Sequence, residues 1–227
     1  MDLLDFARGP ALYVSLAVFV LGIAWRFARL WRLPPLPDLS PAREGAPADR
    51  DGALRSISRG LWPRREFIRS TRYVAVNGYV FHIGLAVVFF GYAPHIAFIH
   101  RLTALSWPAL PDLVIYIATA ATIISLVMAL VMRLTDPVRK KISSADDMIT
   151  WVVVFLPLMT GMAVLSEPSA ITVARDHAIY RGPLAVHLLS LELLLVWFPF
   201  GKLMHAFLFA FSRGATGARF SHRGVKV

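Results

Sequence analysis

The chain has 227 residues, 57% of them hydrophobic, a formal net charge of +10 and no cysteine. Its mean hydropathy of +0.60, with several apolar runs of about twenty residues, marks an integral membrane protein with too little polar sequence for a soluble domain. The missing cysteine excludes disulfides, thiolate zinc sites, a resident iron-sulfur cluster and c-type haem attachment, so a redox cofactor has to be held by histidine. The positive charge lies in the connections between apolar runs, where membrane topology accounts for it, so no nucleic-acid partner is called for, and no glycine-rich phosphate loop is visible.

The first predicted span covers about 11–30, ALYVSLAVFVLGIAWRFARL. Asp2 and Asp5 offset Arg8 before it, while Arg26, Arg29 and Arg32 follow it. Those flanks predict a retained anchor with its N-terminus outside, not a cleaved signal peptide. Residues 33–72 form a cytoplasmic connection: a proline-rich opening that predicts an extended linker, then the basic stretch ALRSISRGLWPRREFIRSTR, a candidate interfacial helix. Its arginines either fix topology alone or also dock an acidic partner or anionic lipid headgroups.

The second span, about 73–99, carries His82 and His95, with His100 just beyond it. The third, about 112–132, has no charged residue in its interior and predicts packing material. In the fourth, about 148–165, Pro157 is expected to be tolerated because neighbouring helices satisfy the carbonyl it frees. His177 and His222 fall in polar segments and are expected to face water. The fifth span, 184–211, holds His187, Glu192, Lys202 and His205. Ionisable groups are costly at such depth and default to a functional reading.

Counting lysines and arginines sets the orientation. Arg26 to Arg72 contributes eleven, Arg133 to Lys141 four and the tail after Phe211 four, against Arg8, Arg101, Arg175 and Arg181 on the other side. The asymmetry predicts a periplasmic N-terminus, a cytoplasmic C-terminus and five spans across a bacterial inner membrane.

His187 and His205 are eighteen residues apart, which on one continuous helix is about five turns and ~27 Å of rise, nearly the thickness of the hydrocarbon. The antiparallel second and fifth spans then predict two levels: His82 with His205 toward the cytoplasm, and His187 with His95 or His100 toward the outside. A histidine from each helix at each level is what two six-coordinate haems need, since iron takes two axial imidazoles. The expected fold is an all-α, five-transmembrane-helix bundle binding two b-type haems between helices 2 and 5. His95 follows His82 by thirteen residues and His100 by eighteen. Helix phase favours His100; the kink expected at Pro94 and the exposed position beside Arg101 favour His95. Lys202 either snorkels to the interface or pairs with a haem propionate. Glu192 serves either an interhelical hydrogen bond or a quinol proton path.

The segments FHIGLAVVFFGYAPHI and VHLLSLELLLVWFPFGKLMH resemble the second and fifth helices of the gamma, cytochrome b subunit of respiratory nitrate reductase and its relatives in heterodisulfide-reductase-like complexes; FPFGKLMH is the most specific part. The resemblance implies axial ligands at His82, His187 and His205, and a quinol-linked electron-transfer subunit working with a cytoplasmic iron-sulfur partner. At the family's fourth ligand position, ten residues after His82, this chain has Tyr92, and His95 is the expected replacement. From other classes stand a haem-free anchor tethering a soluble complex and a small transporter using histidines as proton relays. The transporter lacks any evident inverted repeat.

Overall fold

The computed structural model describes residues 2–34, 39–63, 65–165 and 177–225. The connection around Arg175, residues 35–38 of the proline-rich stretch, Arg64 and Lys226 lie outside the described residues. The elements are α1 (Leu3–Trp31), α2 (Asp49–Arg59), α3 (Ile68–Gly91), α4 (Ala93–Thr103), α5 (Asp112–Thr135), α6 (Pro137–Ile142), α7 (Ala145–Leu165), α8 (His177–Trp197) and α9 (His205–His222). No strand occurs among the described residues.

Among the described residues, four helices are long and apolar enough to cross a membrane: Leu3–Trp31, Ile68–Gly91, Asp112–Thr135 and Ala145–Leu165. A fifth crossing results if Arg181–Trp197 and Lys202–His222 count as one broken span. Large apolar side chains such as Ile83, Phe90, Leu113, Ile117 and Ile124 remain exposed, the surface that hydrocarbon covers in a membrane protein.

The kink expected at Pro94 is a full break, and the expected continuous fifth helix is corrected. The second span ends as α3 at Gly91 and restarts as α4 at Ala93, with Pro94 in the first turn of α4. Pro94 has no N–H to give the Phe90 carbonyl; the Trp107 indole N–H donates to that oxygen at 2.6 Å instead. The Leu110 N–H likewise takes the Gly91 carbonyl at 2.9 Å. The fifth run also breaks, at 198–201, where Pro199 and the extended Gly201 separate α8 from a 3-10 turn at Lys202–Met204. His187 and His205 therefore do not share one helix, and the five-turn argument for a common face fails. Pro157, by contrast, sits inside an unbroken α7.

The chain forms two compact units, residues 1–20 with 73–198, and residues 21–72 with 199–227. In the first, α7 and α8 make an antiparallel pair: Thr160 meets His187 and Ser190 at one level, and the Trp197 indole donates to Thr150 Oγ1 at 3.0 Å at another. The third span, α5, joins α3 to α7. Asn77 Nδ2 donates to the Ser125 carbonyl at 3.0 Å, and Ser125 Oγ returns a bond to the Asn77 carbonyl at 2.7 Å. Gly84 allows that approach, because a Cβ there would lie 2.1 Å from Thr122 Oγ1. On the other side of α5, the Trp151 indole donates to the Leu126 carbonyl at 2.9 Å, and Arg133 meets the buried Asp147 carboxylate at 3.1 Å. Arg181 on α8 binds Asp2 and Asp5. The Asp5 backbone N–H, followed by this guanidinium, holds the Asp2 carboxyl below its ordinary range.

In the second unit the basic connection is clasped rather than free. Gly52 and Ser56 of α2 meet Gly217 and Ser221 of α9 so closely that a Cβ on Gly217 would lie 2.3 Å from the Gly52 carbonyl oxygen. The expected interfacial helix thus begins earlier than its basic run, at Asp49, and ends at Arg59; residues 68–72 already belong to α3. His222, expected to face water, is half-buried, its Nε2 2.8 Å from the Ser40 carbonyl oxygen. His177 opens α8 instead of lying in a connection.

Candidate functional site

The first unit brings His95 and His187 together: their ring centres are 6.3 Å apart and their planes differ by 17°. The break after Gly91 makes this possible. It resets the phase of the backbone, so that His95 faces His187 while the Tyr92 ring, at the position where the resemblance places a histidine, stands edge-on to His95 at 5.2 Å. Phe89 adds a third aromatic wall at 5.9 Å. His100, on the same helix α4, is exposed.

Hydrogen bonding settles which nitrogen carries the proton on each ring. His95 Nδ1 lies 3.1 Å from the Val88 carbonyl oxygen; a carbonyl only accepts, so Nδ1–H donates and Nε2 keeps its lone pair. His187 Nδ1 is 3.2 Å from Thr160 Oγ1. The Thr160 hydroxyl donates to the Leu156 carbonyl at 2.7 Å, and Ser190 Oγ donates to the His187 carbonyl at 2.7 Å, which leaves the Thr160 oxygen to accept from His187 Nδ1–H. Gly161 gives the ring its space, since a Cβ there would come within 3.0 Å of His187 Cε1. An Nδ1–H held by an oxygen with Nε2 left basic is the arrangement metal-ligating imidazoles adopt.

No group of three or more histidine and carboxylate side chains suited to a metal ion occurs among the described residues.

His82 belongs to the first unit, and His205 and Lys202 to the second; each is described within its own unit. His82 Nδ1 lies 2.7 Å from the Gly78 carbonyl oxygen and His205 Nδ1 2.9 Å from that of Lys202. Both rings thus donate through Nδ1 to a carbonyl oxygen of their own segment. Lys202 is exposed. Glu192 is 6% exposed, and its Oε1 has no hydrogen-bond partner. The Thr160–His187 and Thr150–Trp197 contacts place it level with the apolar stretch of α7 around Phe155. Sequence reasoning missed Thr160, Ser190 and Gly161. Small and hydroxyl residues recur throughout apolar helices, and only the register of α7 against α8 distinguishes these three.

No family model matches the chain. A protein of Nitratidesulfovibrio vulgaris, named only "Protein", is 31% identical over 219 residues, spanning 93% of this chain and 91% of the relative. The chain belongs to its family.

Proposed function

We propose that the chain is a dihaem b-type cytochrome, the membrane subunit through which a quinol-linked oxidoreductase of the bacterial inner membrane exchanges electrons with a cytoplasmic iron-sulfur partner. The observation that carries this reading is the facing His95/His187 pair, 6.3 Å between centres, each ring donating through Nδ1 and offering Nε2. Haem, when bound, supplies the one-electron redox chemistry. The chain's own residues do the rest. Val88 and Thr160 fix the two tautomers, Gly161 clears room for one ring, and Phe89 and Tyr92 wall off the other. His82 and His205, with the same Nδ1 arrangement, are the proposed second pair of ligands, and Lys202 is the proposed partner of a propionate. The buried Glu192, whose Oε1 has no hydrogen-bond partner, is a group that can hold a proton in the span, as quinol oxidation requires. The lysine and arginine asymmetry supports a periplasmic N-terminus and a cytoplasmic C-terminus, with the basic connection on the side of the soluble partner.

Absorption spectroscopy with haem quantification on the purified protein tests the reading. Two low-spin b haems per chain, reducible by a quinol analogue, are expected. A preparation with no Soret band, from cells supplied with haem, would establish the haem-free anchor instead.

A further inference from the structure

The second unit holds a feature that the electron-transfer reading does not use. Where α1 leaves its apolar run, Arg26, Arg29, Leu30 and Leu33 line a cleft of about 210 Å³ closed on one side by Leu208 of α9. The walls are fixed by aromatic packing: Phe27 meets Phe211 at 5.3 Å, and Trp25 meets Phe200 at 6.5 Å. Arg29 is held with its guanidinium 5.2 Å from the Trp25 ring centre, and Arg26 is half-buried. Among the described residues neither arginine has an acidic partner, although Arg133 and Arg181 both do.

We propose that this cleft binds the phosphodiester headgroup of one anionic glycerolipid, with the start of an acyl chain along Leu30, Leu33 and Leu208. Two unpaired guanidiniums form a fork suited to phosphate oxygens. The volume is below the range of about 300–1,000 Å³ usual for whole small-molecule sites, and it suits a headgroup whose tails run out along the protein. The surroundings favour a lipid over an acidic protein surface. Leu33 is 63% exposed, Trp31 92% and Trp25 47%, and aromatic rings with arginines at the end of a span mark headgroup depth. A soluble partner's carboxylates would satisfy the charges and leave those apolar walls wet. The site stands independently of haem binding.

Native mass spectrometry of the full-length, delipidated protein, titrated with phosphatidylglycerol or with phosphatidylcholine of the same chains, tests the proposal. One phosphatidylglycerol should bind more tightly than the rest, and the doubly substituted Arg26→Gln/Arg29→Gln protein should bind it about thirtyfold more weakly, each cation near the surface contributing about fivefold. Arg50→Gln/Arg55→Gln, on the exposed side of α2, should leave that affinity unchanged. Arg26→Lys/Arg29→Lys, which keeps the charge, should retain part of it and serves as the variant of record if the glutamine protein does not fold. Equal binding of phosphatidylcholine, unchanged phosphatidylglycerol affinity in the glutamine variant, or its displacement by millimolar inorganic phosphate would overturn the lipid site. So would a requirement for Arg26 and Arg29 in capturing an acidic soluble protein while lipid binding stays unaltered.

Discussion

At the scale of single residues, His95 and His100 separate the chemistry of the site from its arithmetic. His95 is half-buried among Phe89, Tyr92 and His187, whereas His100 is exposed. His95→Ala should remove one of the two proposed haems, read as loss of about half the Soret absorbance per chain, and His100→Ala should remove neither. The reverse pattern would return the ligand to the position favoured by helix phase. The candidate histidines were visible in the sequence because an ionisable side chain in a span is conspicuous by its cost. The choice between these two was not, because it depends on how far the backbone turns between Gly91 and Pro94. Nor was Thr160: a hydroxyl that bonds its own helix carbonyl, as Thr160 bonds Leu156, looks in sequence like any other threonine in a membrane helix.

Proline decides the elements, and it does so in two ways. Pro157 lies within an unbroken helix, while Pro94 and Pro199 mark breaks. The positions of the long apolar runs could be read from hydropathy, and α5 and α7 begin and end within a few residues of where the sequence places them. A kink at Pro94 could be read, but not that the helix ends and restarts there, nor the break at Pro199, because both depend on donors and space supplied from elsewhere. At Pro94 the donor is the Trp107 indole on the Phe90 carbonyl. At Pro199 the space comes from Gly22, where a Cβ would lie 2.5 Å from the Pro199 ring. FPFG was legible as a family resemblance, but not as the end of a helix. Trp107→Phe keeps most of the apolar bulk and removes the donor, so it should cost about 1 kcal/mol of stability, seen as a lower Tm of the purified protein. Because His95 sits in the turn that follows, the variant should also broaden or shift the haem bands that His95→Ala removes. Unaltered spectra with a lowered Tm would mean that the break is held by Leu110 and the remaining backbone alone.

For the molecule as a whole, the number of crossings and the position of the chain ends are one question. The described helices supply four spans, and five only if the two helices flanking the break at 198–201 cross together. An odd number puts the termini on opposite faces and an even number on the same face. The charge count favours the odd number: the eleven arginines of residues 26–72, the four cations of 133–141 and the four after Phe211 share one side only if the broken pair crosses. In cells, a phosphatase that is active only in the periplasm should work when fused before Met1 and fail when fused after Val227, while a cytoplasm-only fluorescent reporter gives the opposite pair of results. Periplasmic activity at both ends would reduce the protein to four crossings, leave the basic tail on the wrong face for a cytoplasmic partner, and remove the basis for placing His187 and His205 at opposite depths. The expected result, N-terminus out and C-terminus in, requires that a span interrupted by Pro199 and Gly201 still traverses the membrane, its freed backbone groups lying where protein rather than lipid surrounds them.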